Sequence, residues 1–137
     1  MPLVKDSDAI EIEMAKLQGT WIQVASETDG VKNAPDEFGS EPRVTFDGSE
    51  YIVRRADGSV VIKGRYRVDP TQTPKAIDWT DTLGDDAGKT LPAIYYLEEN
   101  KLVFCAADEG APRPTAFRTA VGQVLRIHQR ETDLTIR

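Results

Sequence analysis

A single cysteine and a single histidine are all that this chain of 137 residues offers of the side chains that most often hold metals or attack substrates. Cys105 has no second cysteine with which to form an internal disulfide or a thiolate metal site. Flanked by Val103-Phe104 and Ala106-Ala107, it reads as a buried, inert thiol. With His128 alone, a zinc site would have to be built largely from carboxylates, and no spacing recommends one. The sequence therefore points to no metal and no cofactor. Ser26, Ser40, Ser49 and Ser59 occur without a Gly-x-Ser-x-Gly elbow, and no Cys-His signature is present, so nucleophilic chemistry lacks its motifs. Basic charge is also in deficit: 17 Lys and Arg face 23 Asp and Glu, for a net charge of −6. That balance argues against nucleic acid or an anionic membrane surface as partner, while a basic protein partner remains compatible. No stretch is long and apolar enough to span a membrane, and Met1-Pro2-Leu3-Val4-Lys5-Asp6 has no apolar signal core. The chain is expected to be cytoplasmic, although a secreted protein freed of its signal peptide would read the same.

What is present is one domain's worth of alternating sequence, 1–137, with 39% hydrophobic and 29% charged residues, enough to bury a single core. The first element is predicted to be a helix over about 7–18. Asp6 or Ser7 can cap it, Ile10, Met14 and Leu17 share one face, Glu11 and Glu13 suit its early turns, and Gly19 stops it. From Trp21 the period changes to two. Strands are predicted at 21–26, 43–46, 51–55, 60–68, 76–80, 94–97, 102–106 and 124–130. Loops rich in Asp, Gly, Asn and Pro punctuate them, the longest from Thr28 to Glu41. With eight or nine short strands over about 20–131 and no room for crossover helices, the sheet should be antiparallel.

Alternation separates the faces. Val60, Ile62, Tyr66 and Val68 share one side of the longest strand with Gly64, and Lys63, Arg65 and Arg67 line the other. In the last strand Leu125 and Ile127 alternate with Arg126, His128 and Arg130. If the sheet closes, the apolar faces are expected to fill or line the interior.

Gly19-Thr20-Trp21 resembles the Gly-x-Trp signature of lipocalin-type barrels, in which a late basic residue packs on the Trp; Arg130 is the best positional match and Arg126 the second. Leu17-Gln18-Gly19-Thr20-Trp21, Pro74-Lys75-Ala76-Ile77-Asp78, Ile94-Tyr95-Tyr96-Leu97 and Arg113-Pro114-Thr115-Ala116-Phe117 occur in that order. As a set they resemble a lipocalin-like domain family abundant in Planctomycetes and scattered among other bacteria. The resemblance implies an all-β fold, an antiparallel lipocalin-like (calycin-type) β-barrel of about eight strands with a short N-terminal helix. It carries no established activity.

Candidate chemistry is sparse. Trp21 either floors a ligand cavity or seals the barrel. Asp78, between Ile77 and Trp79, is either a structural ion pair with Arg65, Arg67 or Arg118, an outward-facing acid, or a group that orients a ligand. His128 reads as a solvated residue on a strand face; an enzyme using Asp78 and His128 has the least support. Asp81, Asp85 and Asp86 could hold calcium only weakly, since their spacing is not that of an EF-hand. Gly84-Asp85-Asp86-Ala87-Gly88-Lys89-Thr90 ends like a phosphate loop, but Leu83 stands where that motif needs its first glycine and no helix should follow before Pro92. The leading expectation is a non-catalytic binding module for a small, largely apolar ligand. Trp21, Tyr96 and Phe104 would line its site, with Arg65, Arg67 or Asp78 orienting a polar group and Arg130 packed on Trp21. The alternative is a protein-interaction or inhibitory module, using the acidic loops 29–41 and 81–86 on a basic partner.

Overall fold

The computed structural model describes residues 6–32 and 41–131. Helix α1 (Asp6–Leu17) is followed by nine strands: β1 (Gly19–Thr28), β2 (Val31–Lys32), β3 (Arg43–Asp47), β4 (Glu50–Arg54), β5 (Val60–Asp69), β6 (Lys75–Leu83), β7 (Thr90–Glu98), β8 (Lys101–Ala107) and β9 (Gln123–Arg130). All pairings are antiparallel and run in chain order from β3 to β9. β1 pairs with β3 on one side and β9 on the other, closing an eight-stranded lipocalin-like barrel, while β2 is a two-residue flap on the far end of β1. Strand β6 runs three residues beyond its predicted end, to Leu83, and brings Asp81 into the wall.

The helix closes one end. Ile10 and Met14 pack on the core, and Leu17 and Trp21 are fully buried beneath them. The last helical carbonyls have no partners within the helix, and the barrel supplies them. Trp21 Nε1 donates to Leu17 O at 2.9 Å, and Arg130 donates to Gln18 O at 2.8 Å and to Lys16 O at 2.6 Å. The same guanidinium lies 4.2 Å over the Trp21 ring, a cation–π contact at the negative end of the helix dipole. Gly19 makes the exit from helix to strand with φ +107°, a conformation that side chains with a Cβ rarely adopt. The Gln18 amide donates to Gly48 O and its carbonyl accepts from Gly48 N, which ties the helix end to the β3–β4 turn.

One buried carboxylate completes this end. Glu13 accepts from the Tyr95 hydroxyl at 2.7 Å and meets Lys75 at 3.1 Å and Lys16 at 3.3 Å. Burial pushes its carboxyl up, but the Tyr95 hydroxyl and the two lysines outweigh that and hold it below the usual carboxylate range.

The last strand reverses the expected faces. Arg126, His128 and Arg130 point inward, and Leu125 and Ile127 point outward into a second apolar cluster with Ile94, Val103 and Cys105. The reason lies in the segment after β8, residues 108–122, which crosses the outside of the wall. Phe117 meets Tyr96 edge to face at 4.9 Å and covers this cluster. The outer surface of β7–β9 is thus a core in its own right, and apolar side chains belong on both sides of the wall. Cys105 is buried in that cluster, where desolvation, then Glu27, pushes its thiol up to about 11.

Candidate functional site

The end of the barrel opposite α1 is open and leads into a cavity of about 410 Å³. Its apolar wall comes from Val44, Val53, Ile62, Trp79, Leu91, Phe104, Ala106 and Val124, all on inward positions of successive strands. The volume falls within the range of small-molecule pockets, roughly 300–1,000 Å³.

Its most unusual wall is built around a missing side chain. Gly64 on β5 faces inward directly opposite Tyr51 on β4. A Cβ there would collide with the Thr80 carbonyl oxygen and lie 2.6 Å from Tyr51 Cζ, so glycine lets both β6 and the phenol lie close across β5. The Tyr51 hydroxyl then reaches the Asp81 carboxylate on β6 and donates to Oδ1. Tyr51 is 3% exposed and Asp81 4%. Desolvation pushes the Asp81 carboxyl above the usual carboxylate range and Asp86 pushes it further, while the Tyr51 hydrogen bond offsets part of this. Burial, followed by the Asp81 charge, raises the Tyr51 phenol strongly, so it stays a donor at any physiological pH.

The floor is aromatic. Trp79 meets Tyr51 edge to face at 4.9 Å and Phe104 at 4.9 Å, and Phe104 stacks on His128 at 5.6 Å with planes 18° apart. The Trp79 indole N–H is buried without a hydrogen-bond partner among the described residues. Across the barrel from Asp81, Arg126 donates to Gln23 Oε1 at 3.0 Å.

Of the seven residues expected to bind a ligand, Phe104 lines this cavity. Trp21 and Arg130 lie together at the closed end, with Trp21 sealed at 0% exposure. Arg65 and Arg67 project from the exposed outer face of β5. Tyr96 is on the outside of β7, against Phe117 and beneath Lys101 at 5.9 Å. Asp78 is on the outside of β6 and pairs at 2.8 Å with Arg113, not with Arg65, Arg67 or Arg118. Arg113 also donates to Ala93 O at 2.8 Å, so the Arg113–Phe117 motif straps the crossing segment to the wall.

Two further expectations are corrected. His128 is not solvated: it is 3% exposed inside the barrel. With Asp78 outside and His128 inside, the two face opposite sides of the wall and share no site. The loop 29–41 falls partly outside the described residues, and Asp81 is a wall residue instead of a loop acid. Asp86 pairs with Lys89 at 3.4 Å within the β6–β7 turn, and no helix follows the Gly-Lys-Thr sequence there. Among the described residues no group of three His, Cys, Asp or Glu is arranged to hold a metal ion, and no helix is long and apolar enough to cross a membrane.

Trp79, Asp81, Gln23 and Arg126 are cavity residues that sequence reading missed. A signal was present for two of them, since inward Ile77 and Trp79 continue by alternation to Asp81 had the strand been extended by one residue. Fold and site together define a barrel of lipocalin-like form, sealed by a helix at one end and open to a small cavity at the other. No family model, curated protein or solved structure matches the chain.

Proposed function

We propose that this protein is a non-catalytic binding module that takes a small, largely apolar ligand into the open end of its barrel. The cavity carries the reading. One end of the barrel is packed to zero exposure at Leu17, Trp21 and Leu102, whereas the other retains about 410 Å³ behind an apolar and aromatic wall. A barrel of eight strands can be filled by side chains alone, so unfilled space behind an apolar wall is consistent with selection for an occupant. The ordered motifs support placing the chain in the lipocalin-like bacterial family that it resembles. The unreactive, buried Cys105 suits a reducing, cytoplasmic setting.

Native and denaturing mass spectrometry on freshly purified protein test the reading. An extra mass that is lost on denaturation is expected, and Ala106→Trp, which fills the cavity from β8, should abolish it. Retention of the same mass by that variant, with its fold intact by circular dichroism, would move the site outside the barrel. Bare protein that also takes up no apolar probe would leave the surface, with its acidic turns, as the working part and favour a basic protein partner.

A further inference from the structure

We infer that the ligand carries a protonated amine on its apolar body, and that Asp81 receives it. This deepens the reading given above and rests on it. Among the described residues Asp81 is the one buried carboxylate in the cavity wall, at 4% exposure. A carboxylate has two oxygens and about four acceptor positions. Among the described residues a single side chain donates to Asp81, Tyr51, and it donates to Oδ1 alone; Oδ2 is not one of the sealed atoms without a partner and so borders the cavity. A buried charge held by one hydrogen bond is costly, and proteins normally satisfy such groups. At the closed end the same chain does so, giving Glu13 a tyrosine and two lysines. Among the described residues no second side chain donates to Asp81 where the carboxylate borders open space, and a ligand in the cavity can supply that donor.

The surrounding charges select a cation over a neutral donor. Asp86 adds negative charge at Asp81, and Asp29 and Asp108 line the same cavity. Of the two guanidiniums there, Arg43 is paired with Glu131 at 2.8 Å, and Arg126 donates to Gln23 across the barrel from Asp81. An ammonium group at Oδ2 gains a charge-assisted hydrogen bond and relieves the acidic field, whereas an alcohol gains only the bond. Trp79 and Phe104 line the same cavity and can pack against the adjoining apolar part.

Three probes of equal length separate the terms: octylammonium, octanol and octanoate, titrated calorimetrically into the wild-type protein and into Asp81→Asn. Asparagine keeps an acceptor for Tyr51 and removes the charge, so the variant should fold; circular dichroism checks this, and Asp86→Asn serves as a second variant that leaves the buried group intact. The expected result is that octylammonium binds wild type about tenfold or more tighter than octanol, the discrimination of roughly one charge-assisted bond. Asp81→Asn should erase that preference and leave octanol unchanged, while Asp86→Asn lowers it only slightly. Raising salt should lower the preference little, because the pair is shielded from solvent. Equal binding of octanol and octylammonium to wild type, or a preference that survives in Asp81→Asn, would overturn the inference and leave the binding module standing. Tightest binding of octanoate would also overturn it and move the polar end of the site to Arg126. Failure of all three probes to bind would overturn the inference together with the binding reading.

Discussion

Glu13 and Asp81 sit at opposite ends of the same barrel, are equally buried, and each accepts a hydrogen bond from a tyrosine. Their carboxyls are nevertheless shifted in opposite directions, Glu13 down and Asp81 up. The difference is in what else surrounds them. Glu13 has Lys75 and Lys16 beside it; Asp81 has Asp86 and a cavity. A buried charge that is matched belongs to the architecture, and one left half-matched beside open space marks where the architecture stops and binding begins.

The sharpest way to break this comparison is to truncate one aromatic at each end. Trp21→Ala should cost about 3–5 kcal/mol, because it empties a filled site and leaves Leu17 O without its donor. Phe104→Ala should cost less than that range, since its ring already borders empty space and has fewer contacts to lose. Urea denaturation of both variants decides it. Equal losses would mean that the open end is as much core as the closed one. Gly64→Ala comes next, at about 1–3 kcal/mol, because the added methyl collides with the Thr80 carbonyl and drives Tyr51 off β5. It should also free Asp81 from its tyrosine, so Tyr51→Phe should add little further destabilisation in that background.

The pH dependence of stability sharpens the comparison through its sign. Glu13 titrates lower in the folded protein than in the unfolded chain, so its contribution is complete above about pH 4.5 and is lost as pH falls through the folded value. Asp81 titrates higher when folded, so its charge carries no penalty below about pH 3.8, one that grows as pH rises from there to the folded value, and the full penalty above it. Glu13→Gln should therefore destabilise at neutral pH, by roughly 1–3 kcal/mol, and converge on wild type in acid. Asp81→Asn should stabilise at neutral pH and also converge in acid. Denaturation midpoints from about pH 3 to about pH 8 test both signs. A destabilised Asp81→Asn at neutral pH would show that the carboxylate is satisfied after all.

The barrel was legible in the sequence because its signals are local. Period-two alternation, turn residues and the shift from helix to strand at Gly19 place every strand except the two-residue β2. The site was not legible, for two physical reasons. Alternation tells which residues share a face but not which face is inside, and the crossing segment 108–122 makes the outside of β7–β9 apolar too. So Tyr96 read as lining when it packs outward on Phe117, and His128 read as solvated when it packs inward on Phe104. The second reason is partnership at long range. Tyr51 and Asp81 are thirty residues apart, and their contact depends on Gly64, whose role is to be small.

The smallest effect tests whether the closed end is as purely structural as its packing implies. Arg130 stacks on Trp21 and donates to two carbonyls at the end of α1. Lysine keeps the charge near the helix dipole but loses the planar stack and the forked geometry. Arg130→Lys should therefore cost about 1 kcal/mol and change the affinity for octylammonium not at all, since Arg130 is outside the cavity lining. Calorimetric unfolding and titration on one preparation read both numbers. A variant that keeps its stability but binds the amine differently would link the sealed end to the open one, and Trp21 and Arg130 would then have to be counted among the determinants of binding.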